Sequence, residues 1–445
     1  MSLRSASVLF FLVALFLCAW HLDHGHNDNT MARAASVASL VDRGSLEITP
    51  IHTVTNDKSV VDGHYYSDKA PLPTFFVLPF HWCAVHLGLV KPGEFGTLND
   101  GLLRLGGFLV GSVPMALLIA LAWYDLRRRN TTLPMNAALL AALPLFGSFL
   151  FVYSGSFYNH LPGALFSVLA ARSAIHGRPL LTGFFGGMAF LCEATLLLLV
   201  ALWGLQLLLD RNWKGAVQLA IGLVPAALGA AAHNLAVTGD PFTFPNAFAA
   251  NYTEMHQQYG FGTWQPEAFL GLTISDYRGI LFYMPALIIG LWAIPRGTTK
   301  HAFLRDPFIL PALVLIAIFF THATWWGGWT YGPRYIMASA ALLLFATLQR
   351  IGDRPLEKWS AYALSGFGIL CAFGAKATIW YSMPTGVYHP LLSEVWPRLL
   401  RSELSNMQWL ALFGVSPVPA TLLFLPVFAL GLYALVRIDR AAQSD

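Results

Sequence analysis

The chain has 445 residues, 56% of them hydrophobic and only 11% charged, with a mean hydropathy of +0.57. Soluble domains carry about 25% charged residues, so this composition excludes a soluble enzyme and calls for an integral membrane protein. A net charge of +4 and a pI near 8.8 imply no nucleic-acid partner, because the basic residues gather in short loops between apolar runs, where topology accounts for them.

Arg4 followed by VLFFLVALFLCAW reads as an uncleaved first span, since no small-x-small site precedes His21 and Trp20 fits a cleavage site badly. Bulky Leu15, Phe16 and Leu17 argue against lipidation of Cys18. Cys18, Cys83, Cys192 and Cys371 lie far apart, form no CxxC pair, and read as small hydrophobes. Next comes the one long polar passage, which between His21 and Ala70 holds seven of the 23 acidic residues and four of the 27 basic ones.

A cytoplasmic N-terminus puts this passage outside, and the positive-inside rule then orders the rest. Arg127, Arg128 and Arg129 require one crossing, assigned to Arg104–Tyr124; Leu72–Val90 lies along the outer interface as a juxtamembrane helix. Pro134–Tyr153 exits and Pro162–Ile175 returns to Arg172 and Arg178. Leu180–Leu209 would reach about 45 Å as one helix, against a hydrocarbon core of ~30 Å, and has basic residues at both ends. A hairpin turning near Glu193 satisfies both; one tilted helix with Glu193 paired inside the bundle is the alternative and would invert everything downstream. With the hairpin, Gly215–Ala236 exits, Gly279–Ile294 returns, Phe308–His322 exits, Tyr335–Leu348 returns, Tyr362–Trp380 exits and Ala411–Val436 returns. The expectation is an all-α, polytopic, single transmembrane domain over residues 1–445 with about 12 helices. Extracytoplasmic loops cover 21–103, with interfacial helices, 237–278 and 381–410.

On this topology the unusual polar residues meet at one face, as a site for a lipid-tailed substrate with a polar head requires. Asp28, at the end of HLDHGHND, offers a carboxylate that accepts a proton from an attacking group; it or Asn29 equally suits capping of the helix TMARAASVASLV. The cluster His21, Asp23, His24, His26 and Asp28 has metal-binding residue types but no fixed spacing, and no metal is expected. Lys69, stiffened by the prolines of KAPLP, suits a headgroup phosphate, with a pair to Asp68 as its plainer use. Arg334, after Gly-Pro in WWGGWTYGPRY, suits a bidentate phosphate contact. Arg278 in SDYRG stands at an equivalent place, with pairing to Asp276 as its simpler explanation. Tyr66, Asp68, His160 and Glu193 are candidates for sugar or acceptor contacts.

Asp28-Asn29-Thr30-Met31-Ala32 after the first span, Gly44-Ser45-Leu46-Glu47-Ile48-Thr49-Pro50, and Tyr66-Ser67-Asp68-Lys69-Ala70-Pro71 follow one another in an order that resembles the C-type (GT-C) glycosyltransferases, in particular the protein-mannosyltransferase (family 39) and aminoarabinose lipid A transferase branch. HNLAVTGDPF, SDYRGILFYMP and WWGGWTYGPRY resemble bacterial members of the same group. Departures are Asn29 for an acid, Met31 for an arginine and Ala70 for a proline.

The resemblance implies an inverting transfer from a polyprenyl-phosphate sugar to a lipid, polysaccharide or protein acceptor, at the outer face of a bacterial inner membrane. Asp28 would activate the acceptor, and Lys69 and Arg334, with Arg278, would hold the donor phosphate, with no cofactor and no metal. Two other classes remain: a transporter or flippase of an envelope lipid, against which the absence of an obvious internal repeat counts, and an inactive member of the fold.

Overall fold

The computed structural model describes residues 1–129, 133, 136–296 and 298–442; Pro134, where the third span was expected to begin, lies outside them. The described chain is almost wholly helical, with one two-stranded antiparallel hairpin, Lys58–Val61 with His64–Ser67, turning at Asp62-Gly63. Both turn residues have positive φ, +50° and +83°, as a tight hairpin turn demands.

Helices, whole or broken into two or three pieces, occupy the described part of each expected segment. Among the described residues, three are long and apolar enough to cross a membrane as single rods: Asp100–Arg127, Trp213–Thr238 and Pro417–Ala441. The others are shorter. The segment after Gly279, for example, breaks into Ile280–Tyr283, Pro285–Ile289 and Gly290–Arg296 at a proline that cannot continue the ladder.

The run from Leu180 to Leu209 folds back on itself. Pro179–Cys192 ends at Glu193, which is extended (φ −156°, ψ 117°), and a 3-10 turn, Ala194–Leu196, starts Leu197–Leu209. A Cβ added at Gly186 would meet Val200 and Trp203, a contact that a straight helix would separate by about 25 Å. The following helix then runs parallel to Pro179–Cys192, its Gly222 backed by the Leu180 carbonyl, while a Cβ on Gly183 would stand 1.9 Å from the Leu219 oxygen. Small residues at helical spacing are what allow this approach.

With that fold-back, alternate ends of the segments meet. At one end basic residues find acids from other helices: Arg172 with Asp125 (2.6 Å), Arg127 with Asp439 (3.2 Å), Arg305 with Asp210 (2.5 Å), and Arg350 with Asp306. Trp123 and Asn136 also donate to Asp439, each at 2.7 Å. The opposite end carries the polar passage.

There, the helix Asp28–Arg43 packs its apolar face (Met31, Ala34, Ala35, Ala38) against Val77, Leu102, Leu103 and Phe157. The helix Pro71–His86 buries Pro73, Thr74, Val77 and His81 and exposes Phe75, Phe76, Phe80 and Trp82, the two-faced pattern of an interfacial helix. Two later loops tie into this layer. Ala250 N–H donates to the Lys58 carbonyl (2.8 Å), Ser59 Oγ to the Pro245 carbonyl (2.6 Å), and Leu22 N–H to the Met407 carbonyl (2.8 Å).

Candidate functional site

Where the polar passage meets the helix ends, a cavity of about 1410 Å³ opens. It is lined by Asp28, Asp68, Lys69, His160, Glu193 and Arg334, six of the eight residues singled out from the sequence, brought from positions as far apart as 28 and 334. Tyr66 and Arg278 do not line it.

Asp28 is the first residue of its helix, and the cap belongs to Asn27, whose Oδ1 accepts from Asn29 N–H at 3.1 Å. With the capping role filled, the Asp28 carboxylate accepts Asn56 N–H at 2.7 Å and Asn56 Nδ2 at 3.5 Å. These donors fix its direction while leaving acceptor capacity toward the cavity.

Lys69 is not a free cation. Its Nζ lies 2.6 Å from Asp57 Oδ2 and 3.0 Å from Asp68 Oδ1. Burial alone would push Asp57 up, but the Lys69 charge more than offsets this and holds it below the usual carboxylate range; Asp68 is pushed up by burial against the same lysine. Burial opposes the lysine charge, yet the two acids raise Lys69 above its ordinary value. The plainer use foreseen for Lys69, a pair with Asp68, is present and doubled.

Arg278 departs from both of its expected uses. Fully buried, it donates to the carbonyls of Tyr277 (2.8 Å) and Trp326 (3.2 Å) and lies 4.1 Å from the Tyr277 ring centroid. Asp276 turns instead to His389, at 2.7 Å. The physical reason is that SDYRG forms a turn, which aims the arginine at backbone oxygens behind the cavity wall. Tyr66 sits on the strand His64–Ser67, paired with Ser59 and away from the cavity.

The cation that sequence reasoning missed is Arg33. Where the resemblance led to an arginine at position 31, Met31 instead joins the apolar cluster, and Arg33, two residues on, enters the cavity wall. Its Nη1 donates to the Asn29 carbonyl (2.9 Å) and to Asn29 Oδ1, and its Nη2 to Asn159 Oδ1 (2.6 Å). All these acceptors are neutral. Asn29, the residue in the place of an expected acid, therefore holds Arg33 without cancelling its charge. Arg334 likewise rests on neutral groups, 5.5 Å from the Tyr158 ring centroid and 5.2 Å from that of Tyr335. Among the described residues neither arginine forms an ion pair, and the Nε of each is buried without a hydrogen-bond partner. Asp57 and Asp68, held by Lys69, act on them only through space, and two guanidiniums that face one cavity without a directly paired anion are well suited to one.

Asp23 was also missed as an individual. It lines the cavity, is 2% exposed, accepts Gly25 N–H at 2.8 Å and is hydrogen-bonded by the Tyr381 hydroxyl. Burial pushes its carboxyl up to about 6, against those two hydrogen bonds. The rest of the His/Asp run disperses: His21 turns into the core against Trp380 and Phe424, and His26 faces Asp100 at 3.5 Å. Among the described residues no three His, Cys, Asp or Glu side chains converge as a metal site needs. Glu193 binds His160 Nδ1 at 2.8 Å and accepts from Thr195 Oγ1 at 3.1 Å. Tyr158, Tyr335, Phe261, Phe319, Trp326 and Trp329 supply an aromatic wall.

No family model matches the chain, and no curated protein matches it. Two solved structures are similar to it: ArnT from Cupriavidus metallidurans bound to undecaprenyl phosphate, with 16% identity and a TM-score of 0.45, and ArnT from the same organism in the apo state, with 16% identity and a TM-score of 0.47. Each comparison covers 99% of this chain and 77% of the other.

Proposed function

We propose that this protein is a membrane glycosyltransferase that moves a sugar from a polyprenyl-phosphate donor to a lipid, polysaccharide or protein acceptor at the extracytoplasmic face of a bacterial inner membrane. The observation that carries the reading is the pair of buried guanidiniums, Arg33 and Arg334, that share a large cavity with the fixed carboxylate Asp28 at one end of a bundle of apolar helices. A monophosphate that departs from a sugar needs cations fixed in advance where its charge develops. A hydroxyl or amine that attacks needs a base within hydrogen-bond reach.

In this mechanism Arg33 and Arg334 hold the donor phosphate, and the apolar tail leaves the cavity beside the exposed face of Pro71–His86. The acceptor oxygen or nitrogen attacks the anomeric carbon as the carbon–oxygen bond to phosphate breaks, and the bonding pair stays on the phosphate. Asp28 takes the acceptor proton. Lys69 acts by ordering Asp57 and Asp68 at the mouth, and Arg278 by fixing the Trp326 backbone, so neither is assigned to the phosphate.

The test is to supply membranes containing the purified protein with labelled polyprenyl-phosphate sugars and follow transfer, comparing wild type with Asp28→Asn and Arg334→Gln. Transfer by wild type and a loss of at least 100-fold in both variants is expected. Full activity in Asp28→Asn would remove the base assignment. Label crossing vesicles without transfer would replace the transferase reading by a flippase.

A further inference from the structure

His160 and Glu193 are not used in that mechanism, yet they stand beside its phosphate site. The ring of His160 lies 6.1 Å from that of Tyr158 and 6.1 Å from that of Tyr335, the same two rings that carry the Arg334 guanidinium. The adjoining residue, Asn159, holds Arg33. His160 therefore lies at the point where the two uncompensated arginines converge. Glu193 engages Nδ1, which leaves Nε2 as the ring nitrogen available to the cavity.

We propose that His160 is the third member of the anion clamp, held by Glu193, and that it takes up one proton when an anionic phosphate headgroup binds. The inference rests on the phosphate reading given above and adds a proton to it. In the empty cavity a protonated imidazole would be a third positive charge beside two arginines that form no ion pair among the described residues. Once a phosphate neutralises them, the imidazolium gains an anion on Nε2 while keeping Glu193 on Nδ1. Both ring nitrogens then donate, each to an anion. Linkage requires that a group whose proton affinity rises on binding makes the binding pH-dependent in return.

The charged and titratable groups that face His160 are Glu193 from the hairpin turn, Arg334 and Tyr335 from the start of Arg334–Leu348, Arg33 from the loop helix, and Tyr158 beside it; His322 lies against Tyr335. Glu193 is the sole carboxylate among these groups, so it is the one anion that pairs with a protonated His160 before a ligand arrives.

Two short-chain probes, citronellyl phosphate and citronellyl sulfate, test this. Each is titrated into the detergent-solubilised full chain by calorimetry between pH 6 and 8.5, in buffers of different ionisation enthalpy. The sulfate does not titrate in this range, so proton uptake with it belongs to the protein. The expected result for wild type is an uptake approaching one proton per sulfate near neutral pH and, over the same range, an affinity that falls by about tenfold per pH unit. His160→Gln should bind with no uptake and a flat pH profile, and Glu193→Gln should shift the fall in affinity toward lower pH. Binding without uptake in wild type, or equal uptake in His160→Gln, would overturn the proton-linked clamp and leave the phosphate site standing. Failure of wild type to bind either probe would overturn both.

Discussion

Replacing Asn29 by aspartate changes one atom type and almost no volume, yet it should switch off the anion site while leaving the fold intact. Arg33 Nη1 already contacts the Asn29 side chain and carbonyl, so the new carboxylate would sit about 3 Å from a guanidinium nitrogen. At an effective dielectric of about 20 their attraction is roughly 5 kcal/mol, much of it spent on desolvating the carboxylate. A phosphate on the far side of the same guanidinium would then lie about 7 Å from a like charge, a repulsion of roughly 2.4 kcal/mol, which is about a 50-fold loss of affinity. The assay is quenching of the cavity tryptophans, Trp326, Trp329 and Trp380, by a short-chain polyprenyl phosphate, read beside thermal unfolding. Affinity should fall between about 10-fold and 100-fold while the melting temperature stays or rises. Wild-type affinity in Asn29→Asp would refute the claim that Arg33 is kept uncompensated for an anion. A parallel drop in melting temperature would mean that the substitution had damaged the loop instead.

Three other perturbations separate structural from functional charge. Lys69→Met would leave Asp57 and Asp68 buried without their cation, costing about 3–5 kcal/mol of stability; adding Asp57→Asn and Asp68→Asn should restore the melting temperature, and no rescue would show that the lysine acts elsewhere. Asp23, raised from an ordinary 3.8 to about 6 chiefly by burial, contributes stability that is fully present below its unfolded value and lost as pH rises through about 6. That is a decline of about 3 kcal/mol, which Asp23→Asn should flatten in melts taken from pH 4 to 7. Gly183→Ala would force a methyl onto the Leu219 oxygen, spreading Pro179–Cys192 from Trp213–Thr238 at a cost of about 1–3 kcal/mol; an unchanged melt would deny that the close approach matters.

The helical class and the alternation of ends were legible because hydropathy and basic residues report the solvent on each stretch of chain. The turn at Glu193 was legible from length alone: 30 residues between two basic ends exceed one crossing. What composition does not encode is how far a short helix reaches, and so among the described residues three rods and many broken pieces stand where a uniform set of spans was expected. The gathering of Asp28, Lys69, His160, Glu193 and Arg334 followed from the same alternation, because residues at like ends of antiparallel segments must be neighbours. Charge pairing did not follow. Nothing in SDKAPLP says that Lys69 is shared with Asp57, twelve residues upstream on the loop, and nothing in SDYRG says that its arginine turns to backbone oxygens. Arg33 left one usable trace, a cation flanked by alanines inside its helix at the i+4 position from Asn29, two residues beyond the position to which the resemblance pointed.

That displacement has a mechanical consequence. Arg334 arrives at the start of a helix anchored in the bundle, whereas Arg33 arrives on a loop helix held by apolar packing against Val77, Leu102 and Phe157 and by the Asn159 amide. The two cations are thus on separate elements, and their mutual repulsion works against the docked position of the loop helix. On the proposed mechanism a ligand that bridges them would stabilise the docked loop by its own binding energy, so the contact that holds a donor phosphate would also set Asp28, at the head of the Arg33 helix, into position. Base and phosphate site would then be assembled together, because a helix whose first residue carries the carboxylate and whose sixth carries the cation cannot deliver one without the other. Inserting one alanine between Asp28 and Arg33 should therefore uncouple them. The insertion rotates one residue by about 100° relative to the other, and transfer should fail, either with donor binding kept or together with it; retention of both would show that the helix does not link them.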